Sequence, residues 1–328
     1  MAPSSYFIHN RPYGYLSSIA EEMTRSNDKN TLFELNELSV LAAFGERSGE
    51  FLQGQISCDV QKVTKETMQQ GAFCNLQGRI LALCALIDWQ GLKLILPKDL
   101  VKPTEALLNK PAMLSRVHFE EQNEYAIYGF YLNNKNDLLP EQVTLPSRKY
   151  GVNSNENACC YALCENLFIL IVPTRLSESL KAPFLAKQQL RGSLAWHKRM
   201  VMHKQIEIYP ETRGLFLPHR LDLQLSNHLS FDKGCYKGQE IIARMHYRSK
   251  TKHSLQCFII ETKAPPLPGK KVFDVTGKSE IGEMIDCCPL DDKRFVVAVS
   301  ILQEHPDEVL IESQEIPVTL LQPDNNFK

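Results

Sequence analysis

Chemistry in this chain is most concentrated around one thiol. Cys235 lies in F-D-K-G-C-Y-K-G-Q-E-I-I-A-R at 231–244, between Gly234 and Gly238 and beside Lys233 and Lys237. A core cysteine would have apolar neighbours; this one has two cations and two glycines. The glycines permit a tight, exposed turn. Good helix formers at 239–244 place a helix N-terminus, with its free N–H groups and positive dipole end, just beyond the turn. Each feature favours thiolate over thiol, and thiolate is the nucleophile and soft ligand. Tyr236, Gln239 and Glu240 complete the segment as turn-fixing groups or as partners for a ligand. The competing reading is a glycine turn with an incidental cysteine, since lone cysteines are commonly inert core residues.

The other nine cysteines offer less. C-C-x-x-x-C at 159–164 and the pair Cys287–Cys288 lack the C-x-x-C spacing of zinc or iron–sulfur ligation, and no H-E-x-x-H occurs, so no metal site is expected. Cys74 and Cys84 sit in apolar stretches, as small core residues do. Without a secretion signal, free thiols are expected rather than a disulfide framework.

Elements must position this turn, and 328 residues suffice for two or three domains with a sizeable core. Apolar content of 43% and charged content of 23% are those of a globular protein. The 37 Lys and Arg nearly balance the 38 Asp and Glu, so attraction to nucleic acid has to come from a local patch. No apolar run reaches the roughly 20 residues of a membrane span. The N-terminal residues lack the basic and apolar regions of a signal peptide, and a cytoplasmic protein is expected.

Residues 1–30 are polar and without clear period, and read as a loosely packed N-terminal arm. Strands are expected within 32–44, a short helix and turn at 49–60, and two apolar segments within 71–88. W-Q-G at 89–91 turns the second of these into L-K-L-I-L-P as a hairpin. An amphipathic helix follows over 98–108, then strands at 126–132 and 167–172, and a helical pattern over 177–202. Beyond 248, prolines, glycines and short β-rich runs read as a small β-barrel. The layout is α+β with a compact β-domain: an arm at 1–30, a first α+β region at 31–110, a second at 111–248, and the barrel at 249–328.

The literal K-G-C-Y-K-G-Q-E at 233–240 resembles the hallmark of the YgfZ-type folate-binding proteins, relatives of the glycine-cleavage T-protein. F-L-Q-G-Q-I-S-C-D-V at 51–60, C-N-L-Q-G-R-I at 74–80, T-R-G-L-F-L-P-H-R-L-D-L at 212–223 and A-R-M-H-Y-R at 243–248 are similar to its other motifs. The resemblance implies two interleaved α+β domains and a barrel, arranged as a cloverleaf around a channel for folate (tetrahydrofolate). It also implies a role in maintaining iron–sulfur enzymes, including the 4Fe–4S radical enzymes that thiolate tRNA, rather than a classical catalytic activity. Cys235, with Lys233, would be its working group. The alternative is a one-carbon (aminomethyl) transferase of the T-protein class. T-protein relatives place acidic residues just after the glycine turn, where this chain has Ile80, Leu81, Ala82 and Leu83.

Trp196 matches a tryptophan position of those relatives and reads either as an aromatic wall for folate or as a core indole. Leu38 stands where some relatives have a second tryptophan, and Gln55 belongs to the F-L-Q-G-Q motif. The basic cluster of Arg244, His246, Tyr247, Arg248, Lys250, Lys252 and His253 reads as a solvated face, an anchor for the glutamate tail of folate, or a contact for a partner protein or RNA phosphates. With few stacking aromatics in the run, direct RNA contact is the weaker of these, and Arg244 is assigned to the folate tail.

Overall fold

The structure, a computed structural model, describes residues 4–24, 29–248 and 252–323. The N-terminal residues depart from the expected loose arm. Strands β1 (Ser4–Ile8) and β2 (Arg11–Tyr15) form an antiparallel hairpin, followed by a short helix α1 (Ile19–Thr24). Ile8, Arg11 and Tyr13 are buried. Arg11 reaches Asp99 at 2.8 Å and Glu207 at 2.5 Å, partners 88 and 196 residues away. Ion pairs of such sequence separation leave no local period to read.

Five strands form one sheet: β4 (Leu38–Phe44), β5 (Gln69–Cys74), β6 (Ile80–Asp88), β7 (Leu92–Pro97) and β8 (His118–Glu121), in the order β5-β6-β7-β4-β8. They are preceded in the chain by β3 (Thr31–Glu34), which joins a different sheet. Helix α2 (Ser48–Gln53) follows β4, and α3 (Lys98–Leu114) begins at the end of β7. The expected hairpin at 89–91 joins β6 to β7, and α3 runs a turn and a half past the amphipathic pattern at 98–108.

The second sheet contains β9 (Tyr125–Tyr131), β10 (Val152–Ser154), β11 (Cys159–Ala162), β12 (Leu167–Pro173) and β13 (Leu190–Gly192), with β3 inserted between β9 and β13. Its pairs are antiparallel except β13 with β3. The unbroken helix suggested over 177–202 is instead α4 (Ser177–Ala186), strand β13 and α5 (Ser193–Met202). Gln188, with φ of 57°, ends the first helix, and hydrogen bonding of 190–192 to β3 captures the chain before α5 starts. All ten residues of α5 are buried, including His197, Lys198 and Arg199.

Helix α6 (Gln239–Arg248) precedes the C-terminal strands β14 (His253–Glu261), β15 (Lys271–Phe273), β16 (Glu280–Pro289), β17 (Arg294–Leu302), β18 (Glu308–Ile311) and β19 (Val318–Thr319). Their order is β14-β17-β16-β15-β18-β19, and Ile259 and Leu321 exchange backbone hydrogen bonds at 2.7 and 3.0 Å. That bridge nearly closes the expected barrel. α5 packs against β16 and β17, so the buried helix lies between the barrel and the hairpin strand β2. Among the described residues no helix is long and apolar enough to cross a membrane.

Candidate functional site

Two separate recesses hold the residues singled out above. The first is a cavity, partly open to the surface, of about 110 Å³ whose wall includes Leu38 from the start of β4, Gln70 from β5, Leu83 from β6, Trp196 and Met200 from α5, and Glu207. Trp196 is 3% exposed and touches Phe33 at 5.4 Å between ring centroids. Beneath its indole lies Gly129 of β9, where a Cβ would come within 2.5 Å of the ring. Trp196 is thus both a core residue packed on a bare stretch of backbone and a wall of the cavity.

The polar side of the cavity has one unmet group. Gln70 Nε2 donates to Gln205 Oε1 at 2.7 Å, while Gln70 Oε1 is buried without a hydrogen-bond partner among the described residues. A buried acceptor left unpaired is costly, typically about 1–3 kcal/mol. Glu207 Oε2 accepts from Arg11 Nη1 at 2.5 Å and Tyr13 Oη at 2.7 Å. Behind it, Asp286 Oδ1 accepts from Tyr209 Oη at 2.8 Å and lies 3.1 Å from His197 Nε2, which joins β16 of the barrel to α5. Glu37, next to Leu38, is held near pKa 8 by burial and by the neighbouring Glu207. His228, also on the cavity wall, is pushed down to about 3 by burial, so its ring is neutral at pH 7.

The second recess surrounds the thiol. Cys235 is exposed, the one exposed cysteine among the ten, and borders a surface groove of about 710 Å³ formed with residues of 48–63 and the 88–92 hairpin turn. The turn that carries it is bolted to the 54–58 loop. Lys237 N donates to Gly54 O at 3.2 Å, and Lys233 Nζ donates to Ile56 O and Cys58 O at 2.7 and 2.6 Å. Burial lowers the Lys233 ammonium to about pKa 8. Tyr236 is buried, its side chain pushed up in pKa by burial and then by Cys74. Gln239 Oε1 accepts from Tyr236 N at 3.3 Å where α6 begins. Gly238, with φ of +85°, faces the turn at Gly78, itself at φ +71°. The two glycine motifs are therefore halves of one contact. Gly234 has open space at its Cβ position and needs no special backbone angle.

Trp196 and Leu38 meet in one wall, and Cys235 does not join them. Gln55 is half-buried in the loop under the thiol turn, and Arg244 is exposed on α6; neither lines the cavity. Glu240 is exposed at the start of α6. Lys250 of the basic cluster lies outside the described residues. Sequence reasoning missed Gln70, Glu207 and Glu37. A polar pair in the otherwise apolar strand M-Q-Q-G-A-F-C was the available signal for Gln70.

No protein-family model matches the chain. Among curated proteins it is 24% identical over 309 residues to the tRNA-modifying protein YgfZ of Colwellia psychrerythraea, covering 88% of this chain and 94% of that protein. It is 25% identical over 268 residues to the protein of the same name from Yersinia pestis, covering 80% and 81%. The resemblance carried by the 233–240 motif thus extends over most of the chain, and these proteins are its homologues. Among solved structures, glycine cleavage system aminomethyltransferase T from Bartonella henselae superposes with a TM-score of 0.66 at 14% identity, over 99% of this chain and 94% of that one. The chain has the fold of that aminomethyltransferase.

Proposed function

We propose that this chain is a folate-binding accessory protein that supports iron–sulfur enzymes, and through them tRNA modification, with Cys235 as its working thiol. Its architecture is read accordingly as two interleaved α+β units and a barrel set as a cloverleaf around the cavity, in a cytoplasmic protein. The observation that carries the reading is the cavity wall. A reduced folate has a bicyclic head with one flat ring and N–H donors on one edge. The wall supplies the apolar surface of Trp196 and Leu38 and the unpaired acceptor Gln70 Oε1. Burial of the head would remove the cost of that lone acceptor. A volume of about 110 Å³ encloses part of a ligand, against roughly 300–1,000 Å³ for sites that engulf a drug-sized molecule, so the tail would reach outward. When bound, tetrahydrofolate would supply a one-carbon carrier.

The transferase alternative is less well served. The strand after the glycine turn presents Leu83, Cys84 and Ala85 to the cavity, and the carboxylate on the wall, Glu207, is engaged by Arg11 and Tyr13. Cys235 lies in its own groove, open to a partner. A lone thiolate can lend one ligand to a cluster, whose full set is about four, or attack a partner disulfide or persulfide. Lys233 acts as a brace, holding the carbonyls of Ile56 and Cys58.

Titration with tetrahydrofolate, followed by tryptophan fluorescence, tests the cavity. With two tryptophans in the chain, Trp196→Phe leaves Trp89 as an internal control. The wild type should quench, Trp196→Phe should lose most of the quench, and Cys235→Ser should keep it. In cells lacking the protein, Cys235→Ser should fail to restore thiolated tRNA bases and 4Fe–4S enzyme activity under oxidative stress. Equal quenching in Trp196→Phe would remove Trp196 from the wall, and full rescue by Cys235→Ser would make the thiol incidental.

A further inference from the structure

We infer that the outer face of α6, carried by Arg244, Tyr247 and Arg248, is a docking surface for single-stranded RNA. The inference goes beyond the proposed function, which places the chain upstream of RNA-modifying enzymes, and it does not depend on folate binding.

Helical spacing sets the surface. Arg244 and Arg248 are four residues apart and Tyr247 three from Arg244, so all three share one side of α6. All are exposed, Tyr247 by 69%. Among the described residues Arg244 and Arg248 form no ion pair; the nearby Arg220 is engaged by Glu283 at 3.1 Å. The acidic residues next to it in sequence are Asp232 and Glu240, both exposed; Glu280 and Glu283 act on His253, and Asp222 on His219, which in turn faces His246. Since the whole chain carries a net charge of −1, this concentration of free cations is local.

The aromatic part of the surface is assembled from two segments. Phe231, outside the helix, stacks on His246 with centroids 3.8 Å apart and planes 16° apart. Tyr247 stands edge-on to both, at 4.9 Å from His246 and 6.1 Å from Phe231. The pair steadies the tyrosine while most of its surface stays open. Sequence alone showed few aromatics in the basic run because Phe231 joins it only through the fold.

This chemistry selects among anions. Cations track phosphates, and an open aromatic face beside them stacks on an unpaired base, which a duplex keeps hidden. Arg244 does not line the cavity, so a folate tail would meet it only where the tail leaves the cavity, and the test below separates that outcome. An acidic protein would leave the tyrosine face without a matching partner.

The test is fluorescence anisotropy of a short labelled single-stranded RNA with the full chain, between about 50 and 200 mM salt. Wild type should bind, with affinity falling as salt rises. Arg244→Ala with Arg248→Ala should reduce the slope of log K against log salt by about 1.4, at roughly 0.7 per phosphate contact on a single strand. Tyr247→Ala should weaken binding about 5- to 150-fold with the slope unchanged, and Tyr247→Phe should restore it. Duplex RNA of the same sequence should bind more weakly. Absence of RNA binding by the wild type, or binding indifferent to these substitutions, overturns the inference. So does a finding that Arg244→Ala and Arg248→Ala instead abolish a preference for polyglutamylated over monoglutamyl tetrahydrofolate. The tryptophan titration with monoglutamyl tetrahydrofolate should be unchanged in every α6 variant, so failure of the RNA surface and failure of the folate reading are separable.

Discussion

At the scale of single residues, burial sorts the ten thiols. Cys58, Cys74, Cys84, Cys159, Cys160, Cys287 and Cys288 are buried, and burial pushes Cys58, Cys74 and Cys159 up to about pKa 12. Cys164 and Cys257 are half-buried, with their sulfurs donating to Asn166 Oδ1 and Val201 O. Cys235 alone is exposed. Brief alkylation with limiting reagent, mapped by mass spectrometry, should therefore mark Cys235 before any other position. Earlier labelling of Cys164 or Cys257 would count against it as the working thiol. Because Cys235 fills no core space, Cys235→Ser should change stability by no more than about 1 kcal/mol. The flanking lysine has a second part beside the one its position suggested. Lys233 turns its ammonium onto two carbonyls of the 54–58 loop, so it also fastens the thiol turn to that loop.

At the scale of elements, the two glycine motifs explain each other. A Cβ on Gly238 would lie 2.5 Å from Asn75 O and 3.1 Å from Gly78 Cα, at a backbone angle that side chains rarely adopt. Gly238→Ala should therefore cost on the order of 1–3 kcal/mol through strain and displacement of the 75–78 turn. Gly234→Ala, which meets nothing within 4 Å, should be close to neutral. Urea midpoints of the two variants check the contrast, and equal midpoints would refute the contact. Much of this level was legible in the sequence: the hairpin at 89–91, the start of α3, the strands at 126–132 and 167–172, and the barrel all follow from local period and turn chemistry. The break inside 177–202 was not. It depends on pairing between β13 and β3, residues about 160 positions apart, and α5 keeps its charges in the core, which hides its boundary from any amphipathic pattern.

At the scale of the molecule, a buried polar junction ties the hairpin strand β2, helix α3, helix α5 and barrel strand β16 through Arg11, Asp99, Glu207, Tyr209, His197 and Asp286. Half of the candidate site rests on it, since Glu207 is both a junction member and a cavity wall. This is why the thiol was visible in sequence and the cavity's polar side was not: the motif is contiguous, whereas the junction gathers residues from 11 to 286. Glu37 beside it gives the junction a pH dependence. Burial first, and then the charge of Glu207, raise its carboxyl from 4.5 to about 8, while the Ser193 hydroxyl and His197 act in the opposite direction. Between those values the native state holds a proton that the unfolded chain has released. Stability from this group is therefore fully present below about pH 4.5 and is lost as pH rises toward 8. Other groups in the same range, such as the depressed His228, work with the opposite sign, so the comparison has to be made against a variant. Glu37→Gln keeps the shape and removes the titration. From about pH 5 to pH 8 the wild type should lose stability relative to Glu37→Gln, and the variant should be the more stable at the upper end. Urea denaturation of both proteins across that range measures the difference. Parallel curves would mean that the Glu37 carboxyl titrates alike in the native and unfolded chain and is ionised in the junction across this range.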